Sequence, residues 1–143
     1  MSGIRGKNTK PELIVRQGLH HRGYRYRLHN RNLPGTPDLT LPKHKAVIFV
    51  NGCFWHMHRC GLFKMPSTSQ EWWSRKLERN VEIDKQAIEA LRASGWRVLV
   101  VWECCLKGKA RMSKEALLDT ICEWIDSNEV FAEIEGLRRN DPH

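Results

Sequence analysis

Residues 38–50 read DLTLPKHKAVIFV. Two strand-like runs, 38–41 and 45–50, flank Pro42-Lys43-His44, a break so short that the second run folds back beside the first. The stretch predicts two strands in an antiparallel hairpin, and the rest of the chain is read outward from it. Upstream, Leu33-Pro34-Gly35-Thr36-Pro37 is a rigid turn. Residues 24–28 alternate aromatic, basic, aromatic, basic, apolar, the pattern of a half-buried strand with its arginines on the wet face. Lys10-Pro11-Glu12-Leu13 opens a helix: Asn8 or Thr9 can cap the free N–H groups, Pro11 fits the first turn, and Glu12 favours the positive end. That helix is expected to run to about His21 and stop at Gly23.

Downstream, residues 51–68 are too long for a bare connector, and a loop of that length inside a compact domain usually carries function. A long helix is expected from about residue 69 to 94, ending at Gly95. RVLVVW, residues 97–102, suits a buried strand, and residues 113–126 form an amphipathic helix with Ser113 as its cap. The order helix, three strands, helix, strand, helix predicts a single α/β domain. Its sheet is mixed, with an antiparallel hairpin, a parallel strand after the helical crossover, and flanking helices. Residues 1–9 read as a basic N-terminal arm and 127–143 as an acidic C-terminal tail.

The 143 residues suffice for one domain with a real core. There is no apolar run of about 18 residues and no signal-peptide pattern, so a soluble cytoplasmic protein is expected. The five cysteines lack the spacing of a secreted disulfide scaffold, which favours reduced thiols and a metal. The net charge is +8 and unevenly spread: residues 1–31 hold eight Lys or Arg against Glu12 alone, and residues 113–143 hold three bases against eight acids. A basic half points to a polyanion, most often nucleic acid; the plainer alternative is a solvated surface.

Three groups of residues break the structural pattern. Leu77, Val81, Asp84, Ile88 and Leu91 follow one another at helical spacing, so Asp84 interrupts an apolar stripe. A buried carboxylate needs a cationic or N–H donor partner, and a histidine is a candidate; otherwise the helix is rotated to leave Asp84 at the stripe's edge. Asp38, behind Pro37 at the mouth of the hairpin, can offer oxygen to a hard cation or can simply serve the turn. The loop segment GCFWHMHRC, residues 52–60, packs sulfur, imidazole and aromatic rings together. Cys53, His58, Cys60 and Cys104 can complete a zinc tetrahedron, with Cys105 pointing away, although spacing does not choose between His58 and His56. Phe54 and Trp55, with Trp72 and Trp73, can pack on the sheet or wedge between base steps.

VIFVNGCFWHMHRCGLFKMP (47–66), LPGTPD (33–38), RNVEID (79–84) and GWRVLVVWEC (95–104) together closely resemble the very-short-patch repair endonucleases, Vsr. The resemblance runs from Lys10 to about Ile125. It implies a fold similar to the PD-(D/E)xK restriction endonucleases. It also implies nicking of one strand of double-stranded DNA at T:G mismatches, the product of 5-methylcytosine deamination.

By the same resemblance Asp38 binds catalytic Mg²⁺, with the Val50 backbone carbonyl as a second ligand and Glu12 in the outer shell through water. His56 acts as general base and Asp84 orients it. Cys53, His58, Cys60 and Cys104 hold structural Zn²⁺, and Phe54, Trp55 and Trp73 enter the duplex. A bacterial, nucleoid-associated monomer assisted by mismatch repair proteins of the MutL or MutS type is implied as well. Two departures bear on this expectation. Phe49 and Asn51 replace the acid and lysine of the PD-(D/E)xK hairpin, and the best-known Vsr has a histidine where Asn51 stands. Asn51 can hydrogen-bond a metal-bound water but cannot take up a proton, so the base role falls on His56. Relatives carry a longer basic N-terminal segment, so a weaker grip on DNA is expected.

Overall fold

A computed structural model describes residues 10–58, 64–106 and 111–136. The expected basic arm, Asn8, Thr9 and Cys60 lie outside the described residues. Helix α1 (Lys10–His21) leads to strand β1 (Arg27–Leu28), β2 (Leu39–Leu41) and β3 (Ala46–Asn51). Helix α2 (Gln70–Ala93), β4 (Arg97–Trp102), α3 (Lys114–Ile125) and β5 (Phe131–Ile134) follow. The strands form one sheet in chain order, antiparallel from β1 to β3 and parallel from β3 to β5.

The expected hairpin is β2–β3, joined by a single 3-10 turn over Pro42–His44. Lys45 closes that turn in the left-handed region. The strand expected over residues 24–28 is paired only at Arg27 and Leu28. There Tyr24 and Tyr26 pack on the core while the arginines stay exposed. The tail beginning at residue 127 is corrected in part: Phe131–Ile134 form β5, laid parallel on β4. It is only four residues long, and so short a run has no strand signature of its own. Pairing with the apolar run 98–102 of β4 supplies what its sequence does not.

Alternation along β3 and β4 divides the core. Ala46, Ile48, Leu99 and Val101 face α1 and α3, where Val15, Leu19, Leu117, Ile121 and Ile125 are buried. Val47, Val98 and Val100 face the other way, onto Leu91 and Ile88 of α2. A period of two in the strands and 3.6 in the helices thus builds three layers, with α2 alone on its face. Ser113 caps α3 by accepting the Ala116 N–H at 3.0 Å. Arg97, on β4, donates to the carbonyls of Trp124, Ile125 and Glu129 around the C-terminal end of α3, whose exposed carbonyls attract a cation. Among the described residues no helix is long and apolar enough to cross a membrane.

The turn 33–37 fixes how α2 approaches the hairpin. Gly35 has φ +76, and a Cβ there would lie 2.8 Å from Ala87 Cβ and 3.2 Å from the Phe49 ring. Gly35→Ala is therefore both strained and overpacked, and should lower unfolding free energy by about 1–3 kcal/mol in a denaturant titration.

Candidate active site

Where β2 and β3 diverge, the backbone leaves polar groups for a site. The register Leu39↔Ile48, continued by two residues, sets Pro37 opposite Val50. Proline has no N–H, so the ladder stops. The Asp38 carboxylate takes over, with Oδ2 accepting the Val50 N–H at 2.7 Å. In an extended strand the N–H and C=O of one residue face the same edge, so the Val50 carbonyl faces Asp38 as well. Burial pushes the Asp38 carboxyl up to about 7; the Val50 N–H opposes the shift and the Glu12 charge adds to it.

Glu12, 1% exposed on α1, closes this corner. Its Oε2 lies 3.2 Å from Arg16 Nη1 and 2.8 Å from His29 Nε2, and His29 Nε2 lies 3.9 Å from Asp38 Oδ1. Glu12, His29 and Asp38 thus bring ligand atoms within 4.8 Å of one another. His29 carried no signal in the sequence, where it reads as the start of a polar loop. Antiparallel pairing of β1 with β2 places it beside Asp38, and its backbone N–H donates to the Asp38 carbonyl at 3.0 Å.

Across the same opening, His56 Nδ1 pairs with Asp84 Oδ2. A carboxylate only accepts, so Nδ1 carries the proton and Nε2 of a neutral ring keeps its lone pair. Asp84 is not the buried acid of an apolar stripe: its side chain is 33% exposed, at the stripe's edge, while Ala87 takes the buried position. Its partner is nevertheless the histidine that the stripe anomaly called for. Asp38, Val50, Asn51, His56 and Asp84 all line one cleft of about 530 Å³.

Phe54 and Trp55 line the same cleft. They meet edge to face at 4.9 Å between centroids, and Trp73, at the start of α2, sits 5.5 Å and 5.9 Å from them. Asn80 holds the Trp55 carbonyl from α2. Trp72 stands outside this trio at 55% exposure, against Trp73 and under Lys76.

The turn that carries the two loop histidines brings His58 to the sulfurs. His58 N–H returns to the Cys53 carbonyl at 2.9 Å, and His58 Nδ1 then lies 3.5 Å from Cys53 Sγ and 3.7 Å from Cys104 Sγ. Zinc bonds of about 2.3 Å to sulfur and 2.0–2.1 Å to nitrogen place a nitrogen and a sulfur ligand about 3.5–3.6 Å apart in a tetrahedron, close to the spacing of His58 Nδ1 from the two sulfurs. The fourth expected ligand, Cys60, lies outside the described residues. Cys105 points elsewhere because a 3-10 turn over Glu103–Cys105 ends the strand pattern. Its thiol bonds the Ile134 carbonyl at 3.0 Å, and burial pushes it up to about 12.

The strand missed in the sequence supports this cluster. Glu135 Oε1 lies 2.9 Å from His58 Nε2, Gly136 N–H donates to Cys104 Sγ, and Glu133 takes the Trp102 indole N–H. Trp102 in turn stacks on His58 at 4.1 Å. A carboxylate on the far nitrogen of a metal-binding histidine fixes its tautomer and ring orientation.

A family model described as "DNA mismatch endonuclease Vsr" matches residues 1–62. The chain is similar to "DNA mismatch endonuclease Vsr" of Escherichia coli K12, 41% identical over 94% of this chain and 86% of that protein. It is also similar to "Type II nicking enzyme V.XorIIP" of Xanthomonas oryzae pv. oryzae, 50% identical over 73% of this chain and 76% of the relative. "Type II nicking enzyme V.NmeAIP" of Neisseria meningitidis serogroup A is 42% identical over 77% and 79%. With 41% identity over 94% of its length to a DNA mismatch endonuclease Vsr, the chain belongs to the Vsr family of endonucleases.

Proposed function

We propose that this endonuclease nicks one strand of double-stranded DNA at T:G mismatches left by deamination of 5-methylcytosine, by cation-assisted phosphodiester hydrolysis with a histidine base. One observation carries the reading: an imidazole paired to a carboxylate and a buried aspartate open into one cleft beside a trio of aromatic rings. A pure DNA binder has no use for the first two.

Asp38 and the Val50 carbonyl would hold the catalytic cation, Mg²⁺, with Glu12 nearby. The donor set fits a hard ion: an aspartate kept from the bulk solvent, a backbone oxygen at a broken ladder and a second carboxylate. Such an ion stabilises charge developing on the phosphate oxygens and leaving group. His56 takes a proton from the attacking water on Nε2, and Asp84 keeps Nδ1 protonated and the ring turned toward the cleft. Asn51, at the end of β3, offers its amide oxygen to a water in the cleft but transfers no proton. Phe54, Trp55 and Trp73 part the duplex at the mismatch, at a cost of a few kcal/mol recovered through the opened base step. One centre cutting one strand needs no symmetric partner, which fits a monomer; MutL- or MutS-type proteins are proposed helpers.

Cys53, His58, Cys60 and Cys104 would hold structural Zn²⁺, which pins the loop so that wedge and base keep fixed positions. Glu135→Gln should then weaken zinc binding about 10–100-fold, read by competition with a chromogenic chelator.

The nicking-enzyme relatives favour a second reading of the target alone, with the same chemistry at a different DNA sequence. A labelled T:G duplex and its T:A control, incubated with and without Mg²⁺, test the proposal. Mg²⁺-dependent nicking of the T:G strand by wild type and none by Asp38→Ala is expected. Unchanged nicking by Asp38→Ala would remove the proposed centre, and equal nicking of both duplexes would remove the mismatch specificity.

A further inference from the structure

We propose that His29 supplies a nitrogen ligand to the cation held by Asp38 and the Val50 carbonyl beside Glu12, making the catalytic metal site a mixed nitrogen–oxygen one. The inference rests on the cation site proposed above and adds a residue to it. His29 Nε2 is buried and faces Glu12 Oε2 at 2.8 Å, an ion-pair contact that lacks hydrogen-bond geometry. A buried imidazole nitrogen turned to two carboxylates, with ligand atoms of all three within 4.8 Å, is the arrangement of donors around a cation. The same nitrogen lies 3.9 Å from Asp38 Oδ1. Ligands of an octahedral ion with bonds near 2.1 Å stand about 3 Å apart when adjacent and about 4.2 Å apart when opposite, so a nitrogen and an oxygen 3.9 Å apart lie within reach of one ion.

The backbone is arranged for this placement. His29 has φ 48, in the left-handed region that non-glycine residues seldom occupy. The turn comes directly after β1 and fastens the His29 N–H to the Asp38 carbonyl, so the ring is carried with the aspartate rather than out along the strand.

A nitrogen donor changes what the site prefers. Mg²⁺ takes oxygen ligands almost exclusively, whereas first-row transition ions accept imidazole readily. The ratio of Mn²⁺ to Mg²⁺ affinity is therefore expected to exceed that of an all-oxygen site, and His29→Gln is expected to lower Mn²⁺ affinity about tenfold while changing Mg²⁺ affinity little.

The test uses zinc-replete full-length protein labelled with ¹⁵N-histidine, with Mn²⁺ as the probe, followed by electron spin echo spectroscopy and calorimetric titration. The expected result is a ¹⁵N coupling typical of a directly bound imidazole that survives His56→Gln and disappears in His29→Gln. Because the spectrum is taken first on wild type, the outcome does not depend on how the variant folds. Mn²⁺ bound at Asp38 without a histidine coupling would overturn this inference and leave the proposed nuclease centre standing. A coupling that vanishes only in His56→Gln would overturn it too. Mn²⁺ binding indifferent to Asp38→Ala would remove the cation site itself, and both proposals with it.

Discussion

Asp38→Asn should abolish nicking and, in the same protein, raise stability. Losing the anionic ligand removes several kcal/mol of charge stabilisation from the transition state, about 10³–10⁴-fold in rate. The stability change follows from burial, which lifts the Asp38 carboxyl from its ordinary 3.8 to about 7. Between those pH values the folded cation-free protein holds a proton that the unfolded chain has released, so stability falls as pH rises through this window. At pH 8 the accumulated loss is on the order of 4 kcal/mol, and an asparagine escapes it. Denaturant titrations of zinc-replete protein at pH 4.5 and pH 8 should show the variant's advantage only at the higher value. Mg²⁺ should narrow that gap by favouring the wild-type carboxylate. The same proton competes with the cation, so apparent Mg²⁺ affinity should fall up to about tenfold per pH unit below about pH 7. A variant equal to wild type in stability at both pH values would mean that Asp38 is not buried as an awkward acid.

His56→Gln should lower the nicking rate about 10²–10⁴-fold at saturating DNA while leaving T:G duplex affinity nearly unchanged. Glutamine keeps a polar group near Asp84 but has no ring nitrogen to take up the water's proton. Asp84→Asn should produce a loss of similar size for a different reason. An asparagine can donate to Nδ1 and so favour the tautomer with its proton on Nε2, the nitrogen that must be vacant. If the two residues act as a unit, the double variant should be hardly worse than either single one, because removing one partner already disables the other. Single-turnover rates of the four proteins check this. Losses that multiply would mean independent roles and would separate Asp84 from the imidazole.

Much of the site was legible because its signals are local or periodic. The segment 52–60 displays its sulfurs, imidazoles and aromatic rings side by side, and the break in the Leu77–Leu91 stripe marks Asp84 without any knowledge of its partner. The hairpin and the buried strand 97–102 follow from runs of apolar residues whose period is set by backbone geometry. Each of these readings uses residues separated by one or two turns of a helix or one step of a strand.

The rest depended on which distant backbones meet. No spacing rule selects His58 over His56; the selection comes from the return of the His58 N–H to the Cys53 carbonyl, which aims Nδ1 between two sulfurs. His29 reaches Asp38 through strand register, and β5 forms where β4 offers an apolar edge to a run too short to declare itself. Sequence by itself determined the layers, the chemistry-bearing loop and the kind of groups involved, since these follow from local covalent and hydrophobic patterning. Only the tertiary structure brought His29 to Asp38 and Glu135 to His58, because a side chain's partner is fixed by long-range pairing that no short window of residues contains.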